Sequence, residues 1–76
     1  MLEQLQNIFR NTFKIDDLII NESTTANDIY QWDSLTHIAL ITNVEEHFKV
    51  KFSFNNIIGF NTVGDMIAVL KTKNLL

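Results

Sequence analysis

The residues best suited to chemistry in this sequence are Asp33 and Ser34, where a polar turn runs directly into an amphipathic helix. Asp33 is a good N-cap, because its carboxylate can accept the unpaired N–H groups of the first helical turn. The Ser34 hydroxyl then lies at the positive end of the helix, where a phosphate group is electrostatically favoured and backbone N–H groups are free. Most Asp–Ser pairs are ordinary caps, so this pair alone favours capping over a phosphate site.

His37 suggests two further kinds of chemistry, and both are disfavoured. Ser34 and His37 lie three residues apart on one helix, but a hydrolase also needs an oriented base, an oxyanion hole and a substrate cleft. Asp33 and His37 have the spacing of a metal-binding pair, but two ligands do not make a site, and His47 lies too far along the helix to join them. We therefore predict that the chain is not an enzyme and holds no metal. His37 is expected to be a solvated side chain weakly paired with Asp33.

The composition indicates one small domain that covers residues 1–76. Hydrophobic residues make up 46% of the chain, which is ample for a core, and there are no cysteines for disulfides or thiolate chemistry. The net charge of −3 argues against nucleic-acid binding. No signal peptide and no apolar stretch of membrane-spanning length is evident. We therefore expect a cytoplasmic, monomeric protein with no nucleic-acid partner and no membrane span.

Apolar residues recur at helical spacing along most of the chain. They predict a first helix with the buried stripe Leu2, Leu5, Ile8, Phe9 and Phe13. A second helix of about four turns is predicted to begin at Asp33 or Ser34. Its apolar arc is too wide to be fully buried, which suggests a partner site.

Two further helical segments follow the second helix. A loop at 49–52, with Val50 and Phe52 turned inward, leads to a short helical turn at 53–59 that Ser53 caps. The last helix is expected to start at Asn61 or Thr62 and to bury Val63, Met66, Ile67 and Leu70, with residues 71–76 frayed. The predicted fold is all-α, a small four-helix bundle of three main helices and one short helix.

A long loop, from about residue 14 to residue 33, separates the first two helices. We interpret its apolar residues as anchors that hold it to the core: Ile15, Leu18, Ile19 and Ile20. Trp32, at its end, is expected to pack on the core and to orient the turn that precedes Ser34. The phenylalanines are most simply core residues: Phe9, Phe13, Phe48, Phe52, Phe54 and Phe60.

The pattern around Ser34 is more specific than the Asp–Ser pair: Asp33-Ser34-Leu35-x-x-Ile38-x-x-Ile41-x-x-x-Glu45-Glu46-x-Phe48-x-Val50-x-Phe52. It resembles the second helix and following loop of acyl carrier proteins. The chain length and the order of elements agree, so the resemblance covers nearly the whole sequence. It implies that Ser34 carries covalent 4′-phosphopantetheine and that Asp33 is associated with the metal-dependent transfer that attaches this group.

The resemblance also implies a partner surface on the second helix and the loop before it. The residues expected to contact partner enzymes are Asp33, Leu35, Ile38, Ala39, Thr42 and Glu45. The implied partners are a phosphopantetheinyl transferase, an acyl-loading ligase, and acyl- or aminoacyl-transferring enzymes. The Trp-Asp-Ser-Leu variant is similar to stand-alone carriers that serve dedicated biosynthetic pathways.

Two alternatives to an acyl carrier remain open from the sequence. The first is an aminoacyl or peptidyl carrier of the same fold, which a dense aromatic core without an acyl cavity would favour. The second is a helical interaction module whose Ser34 is only a cap and is never modified.

Overall fold

The structure, a computed structural model, describes residues 1–73 and contains four α-helices. These are α1 (Leu2–Phe13), α2 (Ser34–Phe48), α3 (Phe54–Gly59) and α4 (Val63–Thr72). Within those 73 residues there is no β-strand, and a single isolated bridge joins Thr25 and Thr62. The predicted all-α architecture of three main helices and one short helix is therefore confirmed.

The core lies between the apolar faces of α1, α2 and α4. Its fully buried side chains come from all three helices: Leu5, Phe9, Leu40, Val44, Val63, Met66 and Leu70. The predicted stripes of α1 and α4 are confirmed except at Leu2, which is exposed. The α4 helix also continues to Thr72 rather than fraying from residue 71, whereas residues 74–76 of that prediction lie outside the described part of the chain.

The aromatic residues confirm the predicted core with one exception. Phe52 and Phe60 are buried edge-to-face with ring centroids 5.1 Å apart, and Phe48 packs partly buried against the core. Phe54, by contrast, is 73% exposed, so its assignment to the core was wrong. Phe54 is the first residue of the six-residue α3, of which no residue is buried, and its side chain lies on the surface instead of in the core.

The long loop is held to α1 by side chains as well as by apolar contacts. Gln6 Oε1 accepts a hydrogen bond from the Ile20 N–H at 2.9 Å, and Arg10 Nε donates to the Leu18 carbonyl at 2.7 Å. Ile20 is buried and Ile15 and Leu18 are partly buried, as predicted, but Ile19 is exposed. These contacts give the loop a defined path to Ser34.

The same loop is also fastened to the start of α4. The N–H groups of Val63 and Gly64 donate to the carbonyls of Thr24 and Glu22 at 3.0 and 2.8 Å. Gly64 is needed for this approach, since a Cβ there would lie 2.9 Å from the Glu22 carbonyl oxygen. A short 3-10 helix, Ala26–Asp28, then turns the loop toward α2.

Candidate functional site

The N-terminus of α2 is closed by a reciprocal pair of side chains. Asp33 Oδ1 accepts hydrogen bonds from the backbone N–H groups of Leu35 and Thr36 at 3.0 and 2.9 Å. In return, Thr36 Oγ1 accepts from the Asp33 N–H at 2.8 Å and donates to the Gln31 carbonyl at 2.6 Å. This capping box confirms that the helix begins at Ser34.

These bonds also keep Asp33 ionised. The hydrogen bond from the Thr36 N–H lowers the pKa of the Asp33 carboxyl the most, with further lowering by the Thr36 hydroxyl and the Leu35 N–H. Each of these donors favours the carboxylate over the neutral acid. The turn before Ser34 therefore carries a negative charge at neutral pH.

Ser34 is the first residue of α2 and its side chain is exposed. The chain contains three serines. The hydroxyl of Ser23 donates to Asn21 Oδ1 at 2.7 Å, and that of Ser53 accepts from the Asn56 N–H at 3.1 Å. Among residues 1–73, the Ser34 hydroxyl alone of the three has no hydrogen-bond partner, so it is both accessible and unengaged.

One expectation about the helix terminus was wrong. The sequence suggested free backbone N–H groups beside Ser34, but those of Leu35 and Thr36 are occupied by the Asp33 carboxylate. An anion on Ser34 would therefore gain little from direct N–H contacts. The remaining favourable effect on such an anion is the partial positive charge at the N-terminus of α2, which the negative charge of Asp33 partly cancels.

Trp32 fixes the turn from the inside, as predicted. Its ring is buried and packs edge-to-face on Phe9 with centroids 5.3 Å apart, and tilted on Phe13 at 6.1 Å. The backbone N–H of Trp32 also donates to the Ile29 carbonyl at 3.0 Å. The residue two positions before Ser34 is thus anchored to α1 in the core.

His37 is not the solvated side chain that the sequence suggested. It is partly buried, and its Nδ1 accepts a hydrogen bond from Trp32 Nε1 at 3.0 Å. Its Nε2 lies 3.0 Å from the carbonyl oxygen of Ile57. Instead of the predicted weak pair with Asp33, His37 links the turn, α2 and α3. Because His37 and Ile57 are 20 residues apart, no local sequence pattern could have predicted this contact.

A groove of about 540 Å³ opens beside Ser34 between α2 and α3. Ser34, His37 and Ile38 contribute one wall. The remaining lining comes from the loop and from α3 with its following residue: Ala26, Trp32, Asp33, Phe54, Ile57, Ile58 and Phe60. Sequence reasoning missed the α3 wall, although Phe54 and Ile58 have helical spacing and would have indicated a second apolar face.

The residues predicted to contact partners fall into separate groups. Leu35 and Ile38 are 83% and 57% exposed, and Ile38 lines the groove beside Ser34 together with the exposed Phe54 and Ile58. Ala39 is exposed but does not line the groove beside Ser34. This arrangement confirms that the apolar arc of α2 is incompletely buried.

Thr42 and Glu45 lie farther along α2, where they line a second cleft of about 530 Å³ with Glu46 and Lys49. Their side chains are already engaged within the protein. Thr42 Oγ1 donates to the Ile38 carbonyl at 3.1 Å, and Glu45 Oε2 accepts from the Phe52 N–H at 2.8 Å. Glu45 therefore holds the loop after α2.

Two negative findings apply to residues 1–73. No three His, Asp or Glu side chains there lie close enough together to hold a metal ion. None of the helices in that range is both long enough and apolar enough to cross a membrane.

Comparison with known proteins identifies the family. The family model described as "phosphopantetheine attachment site" matches residues 3–70. The solved structure of a holo acyl carrier protein from Geobacter metallireducens is 38% identical, with a TM-score of 0.89, over 96% of this chain and 84% of that one. The chain belongs to the acyl carrier protein family. No curated protein matches it significantly.

Membership in this family settles the cofactor and the general role. The cofactor is covalently bound 4′-phosphopantetheine, and the protein is a carrier, a class that is generally without enzymatic activity. The hypothesis of an unmodified interaction module is accordingly set aside. Ser34 has an exposed hydroxyl without a partner and lines an open groove, which are the features that the attachment of such a group requires.

Proposed function

We propose that 4′-phosphopantetheine is attached to Ser34 and that the carrier, a single domain over residues 1–76, presents acyl intermediates to partner enzymes of a dedicated biosynthetic pathway in the cytoplasm. The free Ser34 hydroxyl carries this proposal. The other two serine hydroxyls are occupied by hydrogen bonds, and Ser53 is committed to capping α3. Ser34 is also the serine that begins α2 and lines the groove.

The surrounding residues have distinct roles in this proposal. Trp32 and the capping box hold the Ser34 turn in one conformation, so that a transferase meets a preorganised hydroxyl. Asp33 Oδ1 accepts the two helix N–H groups, and the carboxylate could also supply a ligand to the metal ion that supports the transfer. The bound group supplies the terminal thiol on which cargo is held as a thioester.

The exposed apolar residues near Ser34 supply the docking surface. Leu35 and Ile38 are exposed and lie within one turn of the attachment point. Apolar side chains in such positions contribute most when a partner covers them completely. A transferase, a loading ligase and acyl-transferring enzymes would share this surface, with Ala39, Thr42 and Glu45 toward its far edge.

An aminoacyl or peptidyl cargo is the second candidate, and the packing of the core supports it. Leu5, Leu40 and Met66 are fully buried between the helices, together with the ring of Phe9. Since protein cores of this kind are close-packed, a long acyl chain would have to displace these side chains or lie in the groove. A small polar cargo makes no such demand.

The attachment is tested by intact mass after incubation with coenzyme A, magnesium and a permissive phosphopantetheinyl transferase. We expect the parent protein and Ser23→Ala to gain one phosphopantetheine and Ser34→Ala to gain none. Circular dichroism checks that Ser34→Ala is folded, which we expect because its hydroxyl has no partner. Modification of Ser34→Ala, or a folded and initially unmodified parent that gains no mass, would overturn the proposal.

A further inference from the structure

Charged residues are distributed unevenly along this chain. Aspartate, glutamate, lysine and arginine make up 20% of the sequence, but none of them occurs in two stretches, 34–44 and 52–64. The first stretch forms most of α2, and the second includes the whole of α3. The α2 wall and the α3 wall of the groove beside Ser34 are therefore both built from segments without these four residue types.

The groove also carries large apolar side chains that face solvent. Ile38 on α2, and Phe54 and Ile58 on α3, line the groove and are each more than half exposed. Phe54 and Ile58 are four residues apart, so they share one face of α3. We refer to Ile38, Phe54 and Ile58 as the groove rim. Exposed apolar side chains grouped in this way indicate a surface that another protein covers.

The position of Ser34 indicates which protein covers the groove rim. Ser34 lines the same groove, and Ile38 follows it by about one turn of α2. A phosphopantetheinyl transferase has to bring its active site to the Ser34 oxygen, so it must approach the molecule over this groove. This step rests on the proposed attachment of phosphopantetheine to Ser34.

The charges around the groove indicate the chemistry of the transferase face that fits it. Among the lining residues, all from the described part of the chain, Asp33 is the one aspartate, glutamate, lysine or arginine. Apolar side chains gain free energy when they are covered, whereas a charged group that loses water without a partner is costly. Lysines or arginines placed against the groove rim would meet no opposite charge there. The complementary face is therefore apolar, as the centres of protein interfaces generally are.

We propose that the phosphopantetheinyl transferase docks on the groove rim through an apolar face, with Phe54 and Ile58 of α3 as contacts besides Ile38 of α2. Association then depends on the apolar area that is covered and not on attraction between charges. Attraction between exposed charges is screened by salt, whereas apolar contact is not. The docking of this carrier is therefore expected to be insensitive to ionic strength.

Two matched isoleucine truncations test the contribution of α3. Ile58→Ala and Ile19→Ala remove the same side chain from exposed positions, and Ile58 lines the groove whereas Ile19 does not. Initial rates of transfer are measured by mass against carrier concentration, at saturating coenzyme A and magnesium, on variants that circular dichroism shows to be folded. We expect Ile58→Ala to raise KM for the carrier about fivefold with kcat nearly unchanged, the signature of a lost docking contact. Phe54→Ala should behave in the same way, and Ile19→Ala should have the KM of the parent.

Ionic strength tests the chemistry of the transferase face. Between about 50 and about 500 mM sodium chloride, we expect KM for the parent carrier to change by less than about threefold, although exposed charges are largely screened at the higher concentration. A larger rise would mean that charged groups drive docking and would overturn the proposal, as would an Ile58→Ala variant whose KM equals that of Ile19→Ala. The gain of mass on Ser34 is read separately. A parent that is modified on Ser34 while either of these results is obtained would keep the attachment proposal and lose the docking proposal.

Discussion

Thr36 is the residue through which the structure of the Ser34 turn can be tested most sharply. Its hydroxyl accepts from the Asp33 N–H at 2.8 Å and donates to the Gln31 carbonyl at 2.6 Å, so it ties the last residues of the loop to the first turn of α2. Thr36→Val keeps the branched shape and removes both bonds. Thr36→Ser keeps the hydroxyl and serves as the matched control.

The expected cost follows from these two bonds. A neutral hydrogen bond contributes about 0.5–1.5 kcal/mol net, and water can replace part of each bond here because Asp33 and Gln31 are exposed. We therefore expect Thr36→Val to lower the free energy of unfolding by about 1 kcal/mol, which corresponds to a fall in Tm of about 4–8 °C for a domain of this size. Thr36→Ser should stay within about 0.5 kcal/mol of the parent.

The same loss should be visible in the attachment reaction. If Thr36 preorganises the turn for the transferase, its loss should lower kcat/KM for phosphopantetheine transfer by up to about fivefold, the rate equivalent of 1 kcal/mol. Urea unfolding measures stability, and transfer is followed by mass at a temperature where both variants are folded. If Thr36→Val matched Thr36→Ser in stability and in transfer rate, the Thr36 hydroxyl would have no role in presenting Ser34.

Three further predictions follow from other contacts. Because the folded-state pKa of Asp33 is lowered, its cap stabilises α2 above the ordinary aspartate pKa of about 4, and this stabilisation is lost as the pH falls below that value. The amide signal of Leu35, followed by NMR through an acid titration, should change as the cap is lost, and Asp33→Asn should abolish that change. Gly64→Ala should destabilise the protein by about 1–2 kcal/mol in urea, because the new methyl group would lie 2.9 Å from the Glu22 carbonyl; a change near zero would mean that the loop moves freely. Ile38→Asp should leave Tm nearly unchanged, since the side chain is 57% exposed, but should raise KM for a partner enzyme, and an unaltered KM would remove Ile38 from the docking surface.

The helix boundaries were predictable because their signals are local. Asp33 and Thr62 each accept hydrogen bonds from N–H groups two or three residues ahead, so a cap can be recognised from a few adjacent side chains. The stripe of α1 could be assigned for the same kind of reason: twelve residues give enough turns for one apolar face to be distinct. Ser34 was singled out by its place after such a cap together with the apolar and acidic pattern that follows it, which resembles acyl carrier proteins.

The α3 helix could not be assigned to a face in this way. With six residues, its apolar side chains are too few to show which of them faces the core, and Phe54 was wrongly placed inside. The prediction that Ile19 anchors the loop was wrong for a similar reason, because three consecutive apolar residues, Leu18 to Ile20, do not indicate which of them points inward. In both cases the side that is buried depends on where the other helices lie.

The amino-acid sequence by itself thus determined the fold class and the start of α2, and so placed Ser34 at a helix N-terminus, because capping and helical periodicity act within a few residues. Only the tertiary structure decided the surroundings of that serine. The His37 bond to Ile57 spans 20 residues, and the groove has walls from two helices whose separation depends on the packed core. Such contacts are set by how the helices pack against each other, so local sequence patterns do not reveal them.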